Sequence, residues 1–340
     1  MSSRRPLMIA GLMMLVAMPV SAQAPDGWRV PRTADGRPDL QGIWASDSAT
    51  PLQRPEALGD RTTLTDEEVA ALEAHAAAYA AEGGDAVFGD SVFLSALASL
   101  NEPDAPEGDR PPFWSYDHQW MEGRWFDNRT SLIVDPPNGR IPPLTEEAVE
   151  RNERARVERQ AALAREPVGV TEELARLDGG VLCRGGRLPM SGRGYNSNYQ
   201  IFQTPGYVAV QMEMMHDTRL IPVAAENATA VGVRQDLGDS YGRWEGDTFV
   251  VETTGFTGGI SGSSDSVRLI ERFTRVGPER LQYEYTLDDP STWTRPWTAR
   301  IFMRPAPGTG FIYEYACHEG NYAAELSLRS TRAAEKAAGQ

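Results

Sequence analysis

Much of what bounds this chain is what it lacks. In 340 residues there are only two cysteines, Cys183 and Cys317, and four histidines. No Cys-pair or HExxH spacing points to a zinc site, and no dinucleotide fingerprint, phosphate loop or nucleophile elbow occurs. Nucleotide-dependent enzymes are thereby set aside, and no cofactor is expected. Positive charge is short: 33 Lys and Arg stand against 48 Asp and Glu, for a net charge of −15. Such a chain repels phosphate backbones and anionic headgroups, so nucleic acid is not an expected partner. Past the first residues no apolar run approaches the length of a transmembrane helix.

What is present begins with a leader. Arg4 and Arg5 precede an apolar run from residue 7 to 18, and Val20, Ser21 and Ala22 are small. That is the pattern of a signal peptide cleaved after Ala22, which predicts a periplasmic or secreted protein. Ser3-Arg4-Arg5 leaves the twin-arginine and general routes both open. Losing Arg4 and Arg5 would take the charge from −15 to −17. In an oxidising compartment the two cysteines are expected to form one disulfide, worth on the order of 4–5 kcal/mol by chain entropy for a loop of this length. The alternative is a nucleophilic Cys317 beside His318.

Residues 23–194 read as an irregular, partly helical wrapping region. LTDEEVAALEAHAAAYA carries a capping box, Thr65 with Glu68, and a stripe of Val69, Leu72, Ala76 and Tyr79 on one face, leaving His75 on the solvent side. Residues 101–113 form a proline-rich connector. LTEEAVERNERARVERQAALARE, from residue 144, is helical but almost without an apolar stripe, so it belongs on the surface. From residue 195 to 325 the pattern becomes a series of β-runs, YQIFQT, YVAVQMEMM, DTFVVETT, VRLIERFTR, RLQYEYTL, TARIFMR and FIYEYAC, separated by turn residues. Seven such runs with tight connections predict a mainly β fold with α additions, in which the C-terminal half is an antiparallel up-and-down, lipocalin-like β-barrel and the last run closes it. Residues 326–340 read as a polar tail.

The strings RPDLQGIW, NRTSLIVDPPNGRIPPLT, GRWEGDTFVVETT and YEYACHEGNY resemble those of a group of exported bacterial proteins. The resemblance covers nearly the whole mature chain. It implies export and a single integrated fold, and it carries no activity or catalytic residue.

Candidate chemistry gathers at two strand ends. His216 has Glu213, Asp217 and Arg219 nearby in sequence, and His318 has Glu319, Asn321 and Tyr322. An imidazole polarised by a carboxylate is a common general base. His216, Asp217, His318 and Glu319 are therefore the catalytic candidates, with Glu213, Arg219, Tyr313, Tyr315, Asn321 and Tyr322 lining a substrate site at a barrel mouth. Alternatively each histidine orders a loop by bonding backbone. His216, His318 and Glu319 also match a metal-ligand set by type, though not by spacing. Trp293, Arg295 and Trp297 form either a stacking platform or a plug at a barrel end. SGSSDS at 261–266 is a polar loop or lid. Three functions compete: an exported lyase, isomerase or hydrolase acting on a small amphipathic or aromatic molecule; a non-catalytic lipocalin-like carrier of such a molecule; and an envelope interaction protein using the surface helix.

Overall fold

Alternating apolar and polar side chains place ten strands in one sheet, in a computed structural model that describes residues 27–81, 93, 97, 124–164, 183, 188–191, 196–223, 234–308 and 310–337. The leader and the connector at 101–113 lie outside these residues. The strands are β1 (Gly42–Ala45), β2 (Ile133–Asp135), β3 (Asn198–Gln203), β4 (Tyr207–Met212), β5 (Thr218–Pro222), β6 (Asp239–Glu245), β7 (Thr248–Thr254), β8 (Arg268–Gly277), β9 (Arg280–Asp288) and β10 (Trp297–Pro305). Nine of them run in the order β5-β4-β3-β1-β10-β9-β8-β7-β6, while β2 pairs with β10. All these neighbours are antiparallel, and the sheet curls into a nearly closed barrel. The expected mainly antiparallel β-barrel with helical additions is thus present.

Two details differ from the sequence reading. The short β1, from the N-terminal half, sits between β3 and β10 and joins the two meanders. FIYEYAC, expected to close the barrel, is not a strand at all. β10 already pairs with β9, β1 and β2, so no free edge is left to receive it. Gly308 and Gly310, both at positive φ, carry the chain away from the barrel instead.

Closure falls to β5 and β6. These strands run in the same direction and share one parallel bridge, Val223 with Gly242. Inside, three successive rungs of inward residues cross from β10 to β6. They are Trp297-Leu287-Leu269-Thr253-Ser240, then Ala299-Tyr285-Glu271-Val251-Gly242, then Ile301-Tyr283-Phe273-Phe249-Trp244. Gly242 has to be glycine, because a Cβ there would lie 2.1 Å from the Phe249 ring. Aromatic rings make a continuous column from Trp244 through Phe249, Phe273, Tyr283 and Tyr285 to Trp297, with centroids 5.1 to 6.4 Å apart. Trp293 packs edge-on against Trp297 at 5.6 Å, whereas Arg295 points out and pairs with Asp135 at 2.8 Å, so the tryptophans form the plug without the arginine.

Three helices lie outside the barrel among the described residues. α1 (Asp66–Ala81) begins with the expected capping box, the Thr65 Oγ1 accepting from Glu68 N–H at 3.2 Å and Glu68 Oε2 accepting from Thr65 N–H at 2.8 Å. Its Leu72 is fully buried in a second, smaller core with Leu58, Leu64, Phe93 and Phe126. His75 is half-buried and partnered rather than solvated. α2 (Glu146–Ala164) is exposed along most of its length, as its charge pattern requires. α3 (Ala323–Ala337) replaces the expected polar tail. Asn321 Oδ1 accepts from Ala323 N–H at its start, and an Arg329–Glu325 ion pair supports its first turns.

Candidate functional site

The most unusual chemistry lies inside the barrel. Arg219 on β5 is 4 % exposed and Glu271 on β8 is 0 % exposed. The guanidinium donates to both carboxylate oxygens, Nη2 to Oε2 at 2.7 Å and Nη1 to Oε1 at 3.1 Å. From the same Nη2 it reaches Ser240 Oγ on β6 and Thr253 Oγ1 on β7, each at 3.0 Å. Tyr283 Oη donates to Glu271 Oε1 at 2.8 Å and accepts from Met190 N–H at 3.1 Å. Burial first, then the adjacent Glu271 charge, pushes the Tyr283 hydroxyl well above its ordinary pKa, so it remains a proton donor.

Strand alternation explains why these groups meet. Leu269, Glu271 and Phe273 point inward from β8, as Arg219 and Ile221 do from β5. Arg219 thereby spans the one side of the barrel that backbone bonds barely close. Two donors are left over: Arg219 Nε and Trp297 Nε1 are buried without a hydrogen-bond partner. Each such group costs about 1–3 kcal/mol. Beside this network the interior is tightly filled: the apolar seam lined by Leu40, Ile201, Val208, Val210, Phe249 and Phe273 has no room for a water molecule.

A segment from outside the sheet reaches this interior. Leu188 and Met190 are buried in the barrel core, and Ser46 Oγ donates to Met190 O at 3.1 Å. Cys183, a few residues earlier, is paired with Cys317 as expected, with the Cα atoms 5.7 Å apart. Asn321 Nδ2 donates to Cys183 Sγ at 3.1 Å. The bridge therefore ties the chain after β10 to a point a few residues before the buried Leu188 and Met190.

The other sequence candidates sit elsewhere. His216 is exposed, on left-handed backbone at φ 56°, and its Nε2 lies 3.1 Å from Gln211 Nε2. His318 and Glu319 are exposed in a turn where Asn321 N–H donates to His318 O at 3.4 Å. Among the described residues neither imidazole has a carboxylate partner, so the expected polarised pair is not formed there. Asp217 is half-buried and partnered, its backbone carbonyl accepting from Met212 N–H. Glu213 Oε2 accepts from Asn198 N–H at 3.2 Å and from Asn198 Nδ2 at 2.8 Å, which orders the β4–β5 turn. Tyr313 and Tyr322 are 63 % and 64 % exposed, Tyr315 and Asn321 half-buried; none lines the interior. Among the described residues no group of three or more His, Cys, Asp or Glu could hold a metal ion, and His216, His318 and Glu319 make no such group.

The SGSSDS loop is pinned rather than free. Ser264 N–H donates to Asp289 Oδ2 at 2.7 Å, and Ser291 Oγ donates to Asp289 Oδ1 at 2.7 Å. Burial works against ionisation of Asp289, but hydrogen bonds from Thr292, Ser291 and Ser264 outweigh it and hold its pKa at about 2.

Of the interior network the sequence reading named only Arg219. Glu271 was detectable as a charge at an inward position of an alternating apolar strand, and Ser240, Thr253 and Tyr283 as polar groups on facing rungs. No helix among the described residues is long and apolar enough to cross a membrane. Compared with known proteins, the chain matches no family model, no curated protein and no solved structure.

Proposed function

We propose that this is an exported binding protein that takes a small amphipathic or aromatic molecule into its barrel, with a neutral acceptor group of that molecule held at Arg219. The observation that carries this reading is the unpartnered, buried Arg219 Nε–H, left over in a polar network that is otherwise satisfied by Glu271, Ser240 and Thr253. Guanidinium and carboxylate together are neutral, so the added group is a carbonyl or hydroxyl oxygen rather than an anion. Trp297 Nε1–H is a second spare donor, on the same rung as the Thr253 that Arg219 contacts. Aromatic rings above this floor suit a flat or apolar body.

The ligand would take space now filled by Leu188 and Met190, displacing the Met190–Tyr283 hydrogen bond. The β5–β6 side, with its single bridge, is the weakest wall through which it could pass. Export is supported by the leader and by the cysteine pair. Proton transfer at His216 or His318 has less support, since both are exposed and lack carboxylate partners.

Tryptophan fluorescence titrated with dodecanol and with acetophenone tests the reading. Saturable binding that is lost in the Arg219→Met/Glu271→Leu double variant, with folding retained, supports it. Equal binding by that variant, or no saturable response to either probe, rejects it. Consumption of a bound probe that stops in His318→Ala would favour the enzyme instead.

A further inference from the structure

Outside the barrel, arginines and aromatic rings alternate beside β10. Arg129 Cζ lies 4.8 Å from the Phe302 ring centre, Arg280 Cζ lies 5.3 Å from the same ring and 5.6 Å from the Trp125 ring, and Arg304 Cζ lies 5.3 Å from Trp125. Three guanidiniums thus share two rings in a chain whose net charge is −15. Two are neutralised, Arg129 by Asp127 at 2.6 Å and Arg304 by Asp47.

Arg280 is different. Its side chain is half-buried between Trp125 and Phe302, and among the described residues it has neither a carboxylate nor a hydrogen-bond acceptor. The β9–β10 register sets Gln282 opposite Phe302, so two residues further on Arg280 and Arg304 are outward neighbours across the pair. Asp47 offsets the Arg304 charge in this pair, which leaves Arg280 as the member without a counter-ion. Two more donors in the stack, Trp125 Nε1 and Arg304 Nε, are buried and unpartnered, against one such acceptor, Asp47 Oδ1. The site therefore combines a cation fixed by ring contacts, whose N–H groups meet no acceptor among the described residues, with more unpartnered donors than acceptors beside it.

We propose that Arg280, clamped by Trp125 and Phe302, is a binding site for a carboxylate group. A guanidinium offers a rigid in-plane fork that matches the two oxygens of a carboxylate, and ring contacts on its sides hold the fork without using its N–H groups. The incoming charge would give Arg280 the counter-ion that Asp127 and Asp47 give Arg129 and Arg304. The site is separate from the barrel interior and stands whether or not the interior binds a ligand.

The test is titration of the folded protein with sodium benzoate and with sodium acetate at constant ionic strength, followed by the arginine Nε–Hε and tryptophan indole signals in ¹H–¹⁵N spectra. An arginine signal that is absent from Arg280→Met identifies Arg280. This signal should shift saturably with either carboxylate. In Arg280→Met, whose side chain still packs between the rings, the indole response should weaken by about tenfold or more. Arg280→Lys retains the charge but not the fork and should weaken as well. Sodium sulfate, which is tetrahedral, should bind less tightly than either carboxylate. An unsaturating drift, an indole response unchanged in Arg280→Met, wild-type affinity in Arg280→Lys, or tighter binding of sulfate would each overturn the proposal.

Discussion

Removing the Arg219 guanidinium should expose how the barrel is held shut. In Arg219→Met, Glu271 loses two charge-assisted hydrogen bonds, and its only remaining side-chain donor is Tyr283 Oη at 2.8 Å. Ser240 and Thr253 suffer less, because their hydroxyls already lie 3.0 Å from each other and can bond together. The main cost is therefore a fully buried carboxylate stripped of its counter-ion, about 3–5 kcal/mol. For a chain of 340 residues, whose unfolding entropy is about 0.7 kcal/mol/K, that corresponds to a fall in Tm of roughly 4–7 °C. Replacing both members, Arg219→Met with Glu271→Leu, removes the uncompensated charge and should bring stability back to within about 1–2 kcal/mol of the parent, or above it. Denaturant unfolding of the parent, both single variants and the double variant closes a double-mutant cycle. If Arg219→Met costs less than about 1 kcal/mol, the pair is not buried as described. If the double variant is as unstable as the single one, Arg219 holds the β5–β6 side by its reach rather than by its charge, and the electrostatic reasoning fails.

Two further outcomes follow from the loops. Asp289, with its pKa lowered from the usual 3.8 to about 2, contributes stability that is fully present above about pH 4 and is lost as pH falls toward 2, on the order of 2 kcal/mol in all. Asp289→Asn should remove this part of the acid limb in a pH series of unfolding midpoints, and an unchanged acid limb would refute the assignment. Breaking the Cys183–Cys317 bridge, which spans 134 residues, should cost about 2–5 kcal/mol. It should also speed hydrogen exchange at the Met190 amide, since the bridge anchors the chain shortly before Leu188 and Met190; equal exchange rates in oxidised protein and in Cys317→Ser would show that the bridge does not hold that segment in place.

The barrel was legible because its strands alternate cleanly. In β9 the apolar set Leu281, Tyr283, Tyr285 and Leu287 is buried, and Gln282 and Glu284 face outward, as period-two reading requires. The capping box at Thr65 and the exposed α2 were legible for the same reason: both are local. β1 was not, because four residues, Gly42–Ala45, carry too short a pattern to separate from loop, and their strand character comes from the partners β3 and β10. The interior network escaped for a related reason. Sequence neighbourhood gathered His216 and Asp217 around Arg219, but strand geometry sends Arg219 inward while His216 remains in the exposed turn.

The limit of local reading is clearest where the chain repeats itself. Tyr283-Glu284-Tyr285 and Tyr313-Glu314-Tyr315 are the same tripeptide, each preceded by an apolar residue two positions earlier, Leu281 and Phe311. In β9 both tyrosines are buried and Tyr283 anchors the polar network; in the later copy Tyr313 is 63 % exposed and belongs to no strand. Intrinsic β-propensity is identical in the two copies, so it cannot decide between them. What decides is the supply of hydrogen-bonding edges. β9 has a partner on either side in β8 and β10, whereas by the time the chain reaches residue 311 every strand of the barrel except at the β5–β6 side is already paired. That remaining side is spanned from within by Arg219, whose reach to Ser240, Thr253 and Glu271 draws β5 toward β6 without leaving room for another strand. With that side spanned from within and β10 paired along its length, the YEYACHEGNY segment meets no open strand edge, and Gly308 and Gly310 lead it away from the sheet.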